Sequence, residues 1–354
     1  MNETFWPGRR VFLTGHTGFK GSWLSLWLAS LGARVHGYAL DPITQPSLFD
    51  ALALELEADT RADLGDLEKL RAVVEKAQPE IVLHLAAQPL VRESYQDPVG
   101  TFATNVLGTA HLLESLRGVN SVKAVVVVTT DKVYHNEEWP HPYRESDRLG
   151  GNDPYSASKA AAEIVTASYR ASFLQERGVR VASARAGNVI GGGDWSADRL
   201  VPDCLRAFAK GRAVELRCPQ AVRPWQHVLE PLSGYLLLAE RLLADSNLGC
   251  GWNFGPKGND GHAEVGEVAQ ALARLWGEGA RVELSQEKHP KEAGLLRLDI
   301  SQAQARLGWQ PRWSLEQALA ATVNWQKGFL QGIPARQLCL EQIQAFSQEL
   351  TTTI

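Results

Sequence analysis

Tyr155 and Lys159 stand four residues apart in Asp153-Pro-Tyr-Ser-Ala-Ser-Lys159. The segment opens like a helix, with an acid at the cap and a proline in the first turn. A spacing of four puts the phenol and the ammonium on one helix face, one turn apart. A free phenol titrates near ~10 and is a poor base at neutral pH. A neighbouring cation stabilises phenolate and lowers that value. The pair therefore suits removal of a proton from a substrate hydroxyl. Alone, Tyr-x-x-x-Lys is common and ordinarily marks a helix surface, so its weight depends on what accompanies it.

Two further groups accompany it. The run Val125-Val-Val-Val-Thr-Thr-Asp-Lys-Val-Tyr134 places Thr130, Asp131 and Lys132 at the C-terminal end of a β-branched strand. Open α/β sheets bind ligands at such ends; the plain alternative is a polar strand end with a helix cap. Near the N-terminus, Val11-Phe-Leu-Thr14 runs into Gly15-His16-Thr17-Gly18-Phe19-Lys20-Gly21. Glycines here allow a tight turn, close approach of backbone N–H groups to a pyrophosphate, and close helix–strand packing, with the helix N-terminus adding partial positive charge. His16 and Lys20 either add charge to that phosphate site or face solvent. Asp41 follows Gly21 by 20 residues, near the spacing of a ribose-binding acid; it is equally well placed as a turn acid before Pro42. No Arg or Lys occurs between Val35 and Leu56. That favours NAD over NADP, whose 2′-phosphate would want a cation. Asp63 and Leu64 are candidates for the adenine edge. A nicotinamide cation would assist Lys159 in stabilising the phenolate.

The elements that must position these groups alternate. Strands are expected at Arg10–Thr14, Val35–Leu40, Ile81–Ala87, Val122–Thr129 and Val179–Ala184. Helices are expected at Phe19–Leu31 with Gly32 as a stop, at Leu67–Ala77, from Asp97-Pro98 to about Leu116, and from Asp153-Pro154 onward. Such alternation implies an α/β fold with a doubly wound parallel Rossmann sheet. Residues 187–199 read as glycine-rich and irregular. Beyond them come a helix at Val201–Lys210, an extended Val214–Leu216, and helices at Leu229–Leu243, Gly266–Trp276, Leu315–Leu330 and Gln337–Glu349. We read residues 1–187 as a dinucleotide-binding domain. Residues 188–354 read mainly as a smaller mixed α/β substrate lobe, with some chain returning to the first domain.

Composition excludes other classes. A net charge of −4, from 36 basic and 40 acidic residues, argues against nucleic-acid coating and polybasic membrane binding. No apolar run approaches the ~18 residues of a membrane span, and the first ten residues lack the apolar core of a secretory signal. Cys204, Cys218, Cys250 and Cys339 are dispersed, which suggests neither a disulfide framework nor a metal site and fits a cytoplasmic protein.

Thr14-Gly15-x-x-Gly18-x-x-Gly21, Leu85-Ala86-Ala87, Thr104-Asn-Val106, Thr130 and Tyr155-x-x-x-Lys159 together resemble the extended short-chain dehydrogenase/reductase superfamily. Longer blocks are more specific: Gly15–Leu24, Thr130-Asp-Lys132, Asp153-Pro-Tyr-Ser156 and Arg223-Pro-Trp-Gln-His-Val-Leu-Glu-Pro231. They resemble the nucleotide-sugar 4,6-dehydratases that act on CDP-glucose. The resemblance implies bound NAD contacted by the glycine turn, Leu85–Ala87, Thr104, Tyr155 and Lys159, and usually a homodimer. It implies oxidation of the sugar at C4 by Tyr155, Thr130 and Lys159, loss of water across C5 and C6, and return of hydride to C6. Asp131 would be the acid for the C6 hydroxyl and Lys132 the base at C5, although Lys132 could instead only orient the sugar. For the substrate diphosphate the candidates are Asn188, Arg199, Arg223 and His227, with Arg223 alternatively stacked on Trp225. Gln88 and Arg92 are candidates for the sugar side. Trp195 either lines a base pocket or packs. The alternatives are a dehydratase or 4-epimerase for another nucleotide sugar, or a non-catalytic NAD sensor.

Overall fold

The computed structural model describes residues 4–258, 261–284 and 295–348. The apolar strand β1 (Arg10–Thr14) is followed by α1 (Phe19–Ser30), β2 (Arg34–Ala39) and a one-turn helix, α2 (Leu48–Leu52). Next come β3 (Ala58–Arg61), the amphipathic α3 (Leu67–Ala77) and β4 (Ile81–His84). Then α4 (Val91–Gln96) leads into α5 (Pro98–Phe102), which Asp97 caps by accepting from the Gly100 amide. The helix expected to continue to Leu116 is interrupted by a π-helical turn at Ala103–Leu107 before α6 (Gly108–Ser115). Strand β5 (Ala124–Val128) is buried along its whole length, as its run of valines requires. Asp153 caps α7 (Pro154–Tyr169) through the Ser156 amide, and β6 (Arg180–Ala186) follows.

Seven parallel strands form one sheet in the order β10-β6-β5-β4-β1-β2-β3. Strand order reverses between β1 and β4, and their C-terminal ends open the crevice in which such sheets bind ligands. The outermost strand, β10 (Gly251–Phe254), comes from the second half of the chain and pairs with β6 from Gly251↔Ser183 to Phe254↔Ala186.

The second half also supplies β7 (Asn188–Ile190), α8 (Leu200–Ala209), β8 (Ala213–Leu216), β9 (Val222–His227) and α9 (Leu229–Leu242). Then come β11 (His262–Glu264), α10 (Val265–Trp276), β12 (Arg281–Leu284), α11 (Leu315–Leu330) and α12 (Ala335–Gln348); the expected terminus of α12 at Glu349 lies outside the described residues. A three-stranded sheet β11-β9-β7 and a pair β12-β8 build this half. Residues 187–199, read as irregular, thus open with a short strand. The two halves share a core: α9 packs its leucines with β5 and β6, and Trp23 of α1 donates its indole N–H to Gly192 O at 3.0 Å. A Cβ at Gly192 would lie 2.0 Å from the Trp325 ring, so only glycine lets this loop settle there.

Three histidines are sealed into this core. Burial lowers His16, and pushes His84 and His227 down to about 3. The unfolded chain therefore binds these protons first, at the ordinary imidazole value, so the stabilisation is complete above about pH 6.5 and is lost as pH falls toward 3. His84 and His227 should each add a slope of about 1.4 kcal/mol per pH unit between pH 6.5 and about 3, and His16 acts in the same direction. Urea unfolding of the protein and of His227→Leu at several pH values between 7 and 4 checks this. The variant should show the shallower decline; equal slopes would contradict the assignment of a neutral His227.

Candidate active site

The glycine turn is built as its composition requires. Gly15 sits at φ +74, and a Cβ there would lie 2.6 Å from the Ala86 amide nitrogen. A Cβ on Gly21 would lie 2.0 Å from Gly15 O. Gly18 is the N-cap of α1 and carries no side chain over the first-turn amides. Thr14 pairs with His84 at 2.7 Å and accepts from the Ala86 amide, which draws the Leu85–Ala87 segment against the turn. Thr17 donates to Leu40 O, and Phe19 reaches Gly191. A bare helix N-terminus beside backbone packed this closely has the geometry to accept a diphosphate.

His16 does not serve that cradle. It is buried, hydrogen-bonded to Asp59 at 2.8 Å, packed across Gly37 and kept neutral by burial. It neither charges the turn nor faces solvent. Lys20 is turned toward the other side of the crevice, where Arg199, Lys159, Asp131 and Lys132 all act on it; burial, with the help of those cations, pushes it down to about 7.

At the far end of β2, Asp41 is exposed on 87% of its side chain. The expectation that no cation lies nearby fails, because it followed the chain alone. Strand β3 pairs with β2 and brings Arg61 within 3.4 Å of Asp41, and to 2.7 Å from Asp59. Two carboxylates against one guanidinium leave this corner net negative, which still favours a free ribose hydroxyl over a 2′-phosphate. Asp63 is exposed and closes its own turn on the Gly65 amide, whereas the Leu64 side chain is buried against Gly108. The Leu64 side chain therefore serves the core, which leaves only its backbone for an adenine edge.

The chemistry-bearing groups meet at the C-terminal end of β5. Tyr155 hydrogen-bonds Thr130. Thr130 donates its hydroxyl to Asp131 Oδ1 at 3.0 Å, and Lys132 Nζ donates to the same oxygen at 3.2 Å. Asp131 is wholly buried, and its Oδ2, beside Gly187, has no hydrogen-bond partner. One turn below Tyr155, Lys159 donates to Val128 O at 2.9 Å. The phenol is raised to about 12 rather than lowered: burial is the dominant cause, and the Thr130 contact opposes it. Burial also pushes Lys159 down to about 8.

The remaining candidates divide. Arg199 pairs with Asp194 at 3.4 Å and its charge reaches both Tyr155 and Lys20, so it lies beside the cluster. Asn188 opens β7 next to Gly187 and is half-buried. Thr104 is half-buried in the π-helical turn, while its neighbour Asn105 binds Gln88 and Ser158. Gln88 spends its own side chain on Thr101 and the Leu90 amide, so it shapes the loop. Arg92 is paired with Asp198 at 3.0 Å, and Arg217 holds the same carboxylate at 2.8 Å. Arg223 is buried and donates to Val222 O. His227 is not a diphosphate ligand: it is fully buried between Trp23 and Trp313, with ring centroids at 5.9 and 4.7 Å. Trp195 packs on Trp325 and Phe329.

Glu163 escaped the sequence reading, although it lies one turn beyond Lys159 on the same helix face. It accepts from Thr129 at 2.6 Å and from Arg185 at 2.9 and 3.0 Å. The i, i+4 spacing in Tyr155, Lys159 and Glu163 was the available signal.

The sequence profile described as GDP-mannose 4,6 dehydratase matches residues 12–322. The chain belongs to the GDP-mannose 4,6 dehydratase family. A relative within reach of this family, the CDP-glucose 4,6-dehydratase of Salmonella typhimurium (strain LT2), is 51% identical over 339 residues, covering 94% of each chain. The dTDP-glucose 4,6-dehydratase of Xanthomonas campestris pv. campestris is 28% identical, covering 94% of this chain and 98% of its own. Among solved structures, MoeE5 in complex with UDP-glucose and NAD superposes with a TM-score of 0.75 at 26% identity, over 90% of this chain and 99% of that one. These likenesses span both halves of the chain. The residues that match the family, 12–322, run through both the Rossmann sheet and the smaller lobe described above.

Gly21→Ala should damage this member of the family at the turn, because the added methyl meets rigid backbone. We expect dinucleotide binding to fall at least tenfold and stability by about 1–3 kcal/mol. Titration calorimetry with NAD and thermal unfolding measure the two; unchanged affinity would show that the turn does not cradle the diphosphate.

Proposed function

We propose that this protein is a nucleotide-sugar 4,6-dehydratase converting CDP-D-glucose to CDP-4-keto-6-deoxy-D-glucose and water. The observation that carries the reading is the contact chain Tyr155–Thr130–Asp131–Lys132 at the mouth of the crevice. The 51% identity to a CDP-glucose 4,6-dehydratase supports the choice of nucleotide. NAD is the cofactor: the glycine cradle, the net-negative corner at Asp41 and the NAD-bound relative support it. Thr14–Gly21, Leu85–Ala87, Thr104, Tyr155 and Lys159 would hold it, with Asp41 at the ribose. When bound, NAD accepts hydride from C4 of the sugar and returns it to C6.

The chain's own residues perform the proton transfers. Tyr155 takes the C4 hydroxyl proton, and Thr130 hydrogen-bonds that oxygen. Because burial raises the phenol to about 12, phenolate formation depends on the cations around it; Lys159 supplies one and Arg199 another. The C4 ketone acidifies the C5 hydrogen. Asp131, through its unpartnered buried Oδ2, protonates the departing C6 hydroxyl. Lys132 removes the C5 proton and later restores one. After one turnover Tyr155 holds the O4 proton and Asp131 lacks the one given to water, and the contact chain Tyr155–Thr130–Asp131 offers that proton a way back to Asp131. Arg199, with Asn188 and Arg223, takes the diphosphate. A 4-epimerase needs Tyr155, Lys159 and Thr130 but has no use for Asp131 and Lys132, so their assembly here favours dehydration. A non-catalytic sensor needs none of the five.

Residues 1–187 serve mainly NAD and residues 188–354 mainly the nucleotide sugar, with α9 and β10 returning to the sheet. A homodimer is supported by exposed Tyr95, Val99, Phe102, Leu107 and Ile164 on the adjoining stretch from α4 to α7. Among the described residues no helix is long and apolar enough to cross a membrane, and we place the protein in the cytoplasm.

Incubation with CDP-glucose, followed by alkaline absorbance of the 4-keto product, tests the reaction. Product from dTDP- or UDP-glucose alone would overturn the choice of base. Tyr155→Phe should cut turnover by about 100–10,000-fold and leave NAD affinity within threefold; full turnover would remove Tyr155 from its role. Lys132→Ala should slow elimination more than oxidation, so the reduced cofactor accumulates. If no reduced cofactor builds up and both steps slow equally, Lys132 only orients the sugar.

A further inference from the structure

Helix α7 grips three consecutive residues, the last of β5 and the two that follow it, one after another. Lys159 takes the Val128 carbonyl, Glu163 takes the Thr129 hydroxyl, and Tyr155 takes the Thr130 hydroxyl. The middle grip is a buried carboxylate, and it is over-determined. Besides Thr129 it accepts from Ser183 Oγ of β6 and from two nitrogens of Arg185. Arg185 in turn donates to Tyr134 Oη at 2.8 Å and to Glu145 O, and Tyr134 donates to Asn253 of β10. A fully satisfied buried network of this kind is rigid, and charge inside it acts over a short, poorly screened path.

We propose that Glu163 is a positioning residue: its buried carboxylate keeps the Lys159 ammonium charged and clamps the end of β5 beneath Thr130. This deepens the dehydratase reading and rests on it for its catalytic consequence. Lys159 faces Glu163 and Tyr155 on its own helix, His84 on β4 and Lys20 on α1. His84 is held neutral by burial, and Lys20, itself pushed down to about 7 by burial, has Asp131 rather than Glu163 as the acid acting on it. Burial alone drives Lys159 toward its neutral form, and Glu163 opposes it. Glu163 can do so because Arg185, Ser183 and Thr129 overcome its own burial and hold it below the usual carboxylate range. A neutral Lys159 could not support the phenolate that oxidation at C4 requires.

The test is Glu163→Gln in the full-length protein. Nuclear magnetic resonance of 13Cε-labelled lysine follows the Lys159 titration directly, with its signal identified by its absence in Lys159→Met. We expect the midpoint to fall by about one pH unit, a tenfold loss of proton affinity. The alkaline limb of kcat/KM for CDP-glucose should move down in parallel. An unmoved midpoint overturns the proposal, and so does a rate profile lowered uniformly at every pH, which is what a merely structural role would produce. If Glu163→Gln fails to fold because Arg185 is left as an uncompensated charge, the double variant Glu163→Gln with Arg185→Met removes both charges, and a smaller shift in the same direction is expected, with an unmoved midpoint again overturning the proposal. A shifted Lys159 midpoint in a protein inactive on CDP-glucose would refute the functional reading while leaving the role of Glu163 intact.

Discussion

The contact between helix α7 and the end of strand β5 organises the site. A helix carrying Tyr155, Lys159 and Glu163 at successive turns meets a strand end that offers Val128 O, Thr129 Oγ1 and Thr130 Oγ1. Each side chain finds one partner on that strand end, so the rotation of the helix and its height along the strand are set together. The phenol then has one place to be. The constraint is polar inside an apolar core, where an unmet donor or acceptor is costly and displaced registers are disfavoured accordingly. β5 can offer these groups because its four valines bury it in the middle of the sheet, leaving its end as the floor of the crevice.

Charge follows from the same burial. Water-free surroundings raise Tyr155 and lower Lys159 and Lys20. Neither half of a phenol–ammonium pair is comfortable as an ion here until the other is charged. The same burial thus disfavours both ions, and the cationic ring of a bound cofactor would favour the phenolate. Beside this pair, Asp131 accepts from Thr130 and Lys132 through one carboxylate oxygen and leaves the other without a hydrogen-bond partner.

Local patterns made much of the fold legible. β1, α3 and α11 begin and end where hydrophobic period, caps and glycines place them, and the glycine turn is what its spacing implies. Features that depend on distant pairing were not legible. Arg61 reaches Asp41 only because β3 lies beside β2. The sequence leaves His16 either charging the turn or facing solvent and offers His227 for the diphosphate, yet both are neutral core residues, packed across Gly37 and between tryptophans. Gln88 closes its own loop rather than facing outward. Glycine spacing and helix periodicity are written in neighbouring residues, whereas the burial of an imidazole depends on what the rest of the chain lays over it.

The central claim is that one sugar sits where Tyr155, Thr130 and a single hydride acceptor converge, so that the hydride removed is the hydride returned. CDP-glucose deuterated at C4, converted by the protein in ordinary water, measures this directly. The account predicts deuterium at C6 of the 4-keto-6-deoxy product, retained within the same molecule when labelled and unlabelled substrates are mixed. Loss of the label to solvent, or its exchange between molecules, would contradict it.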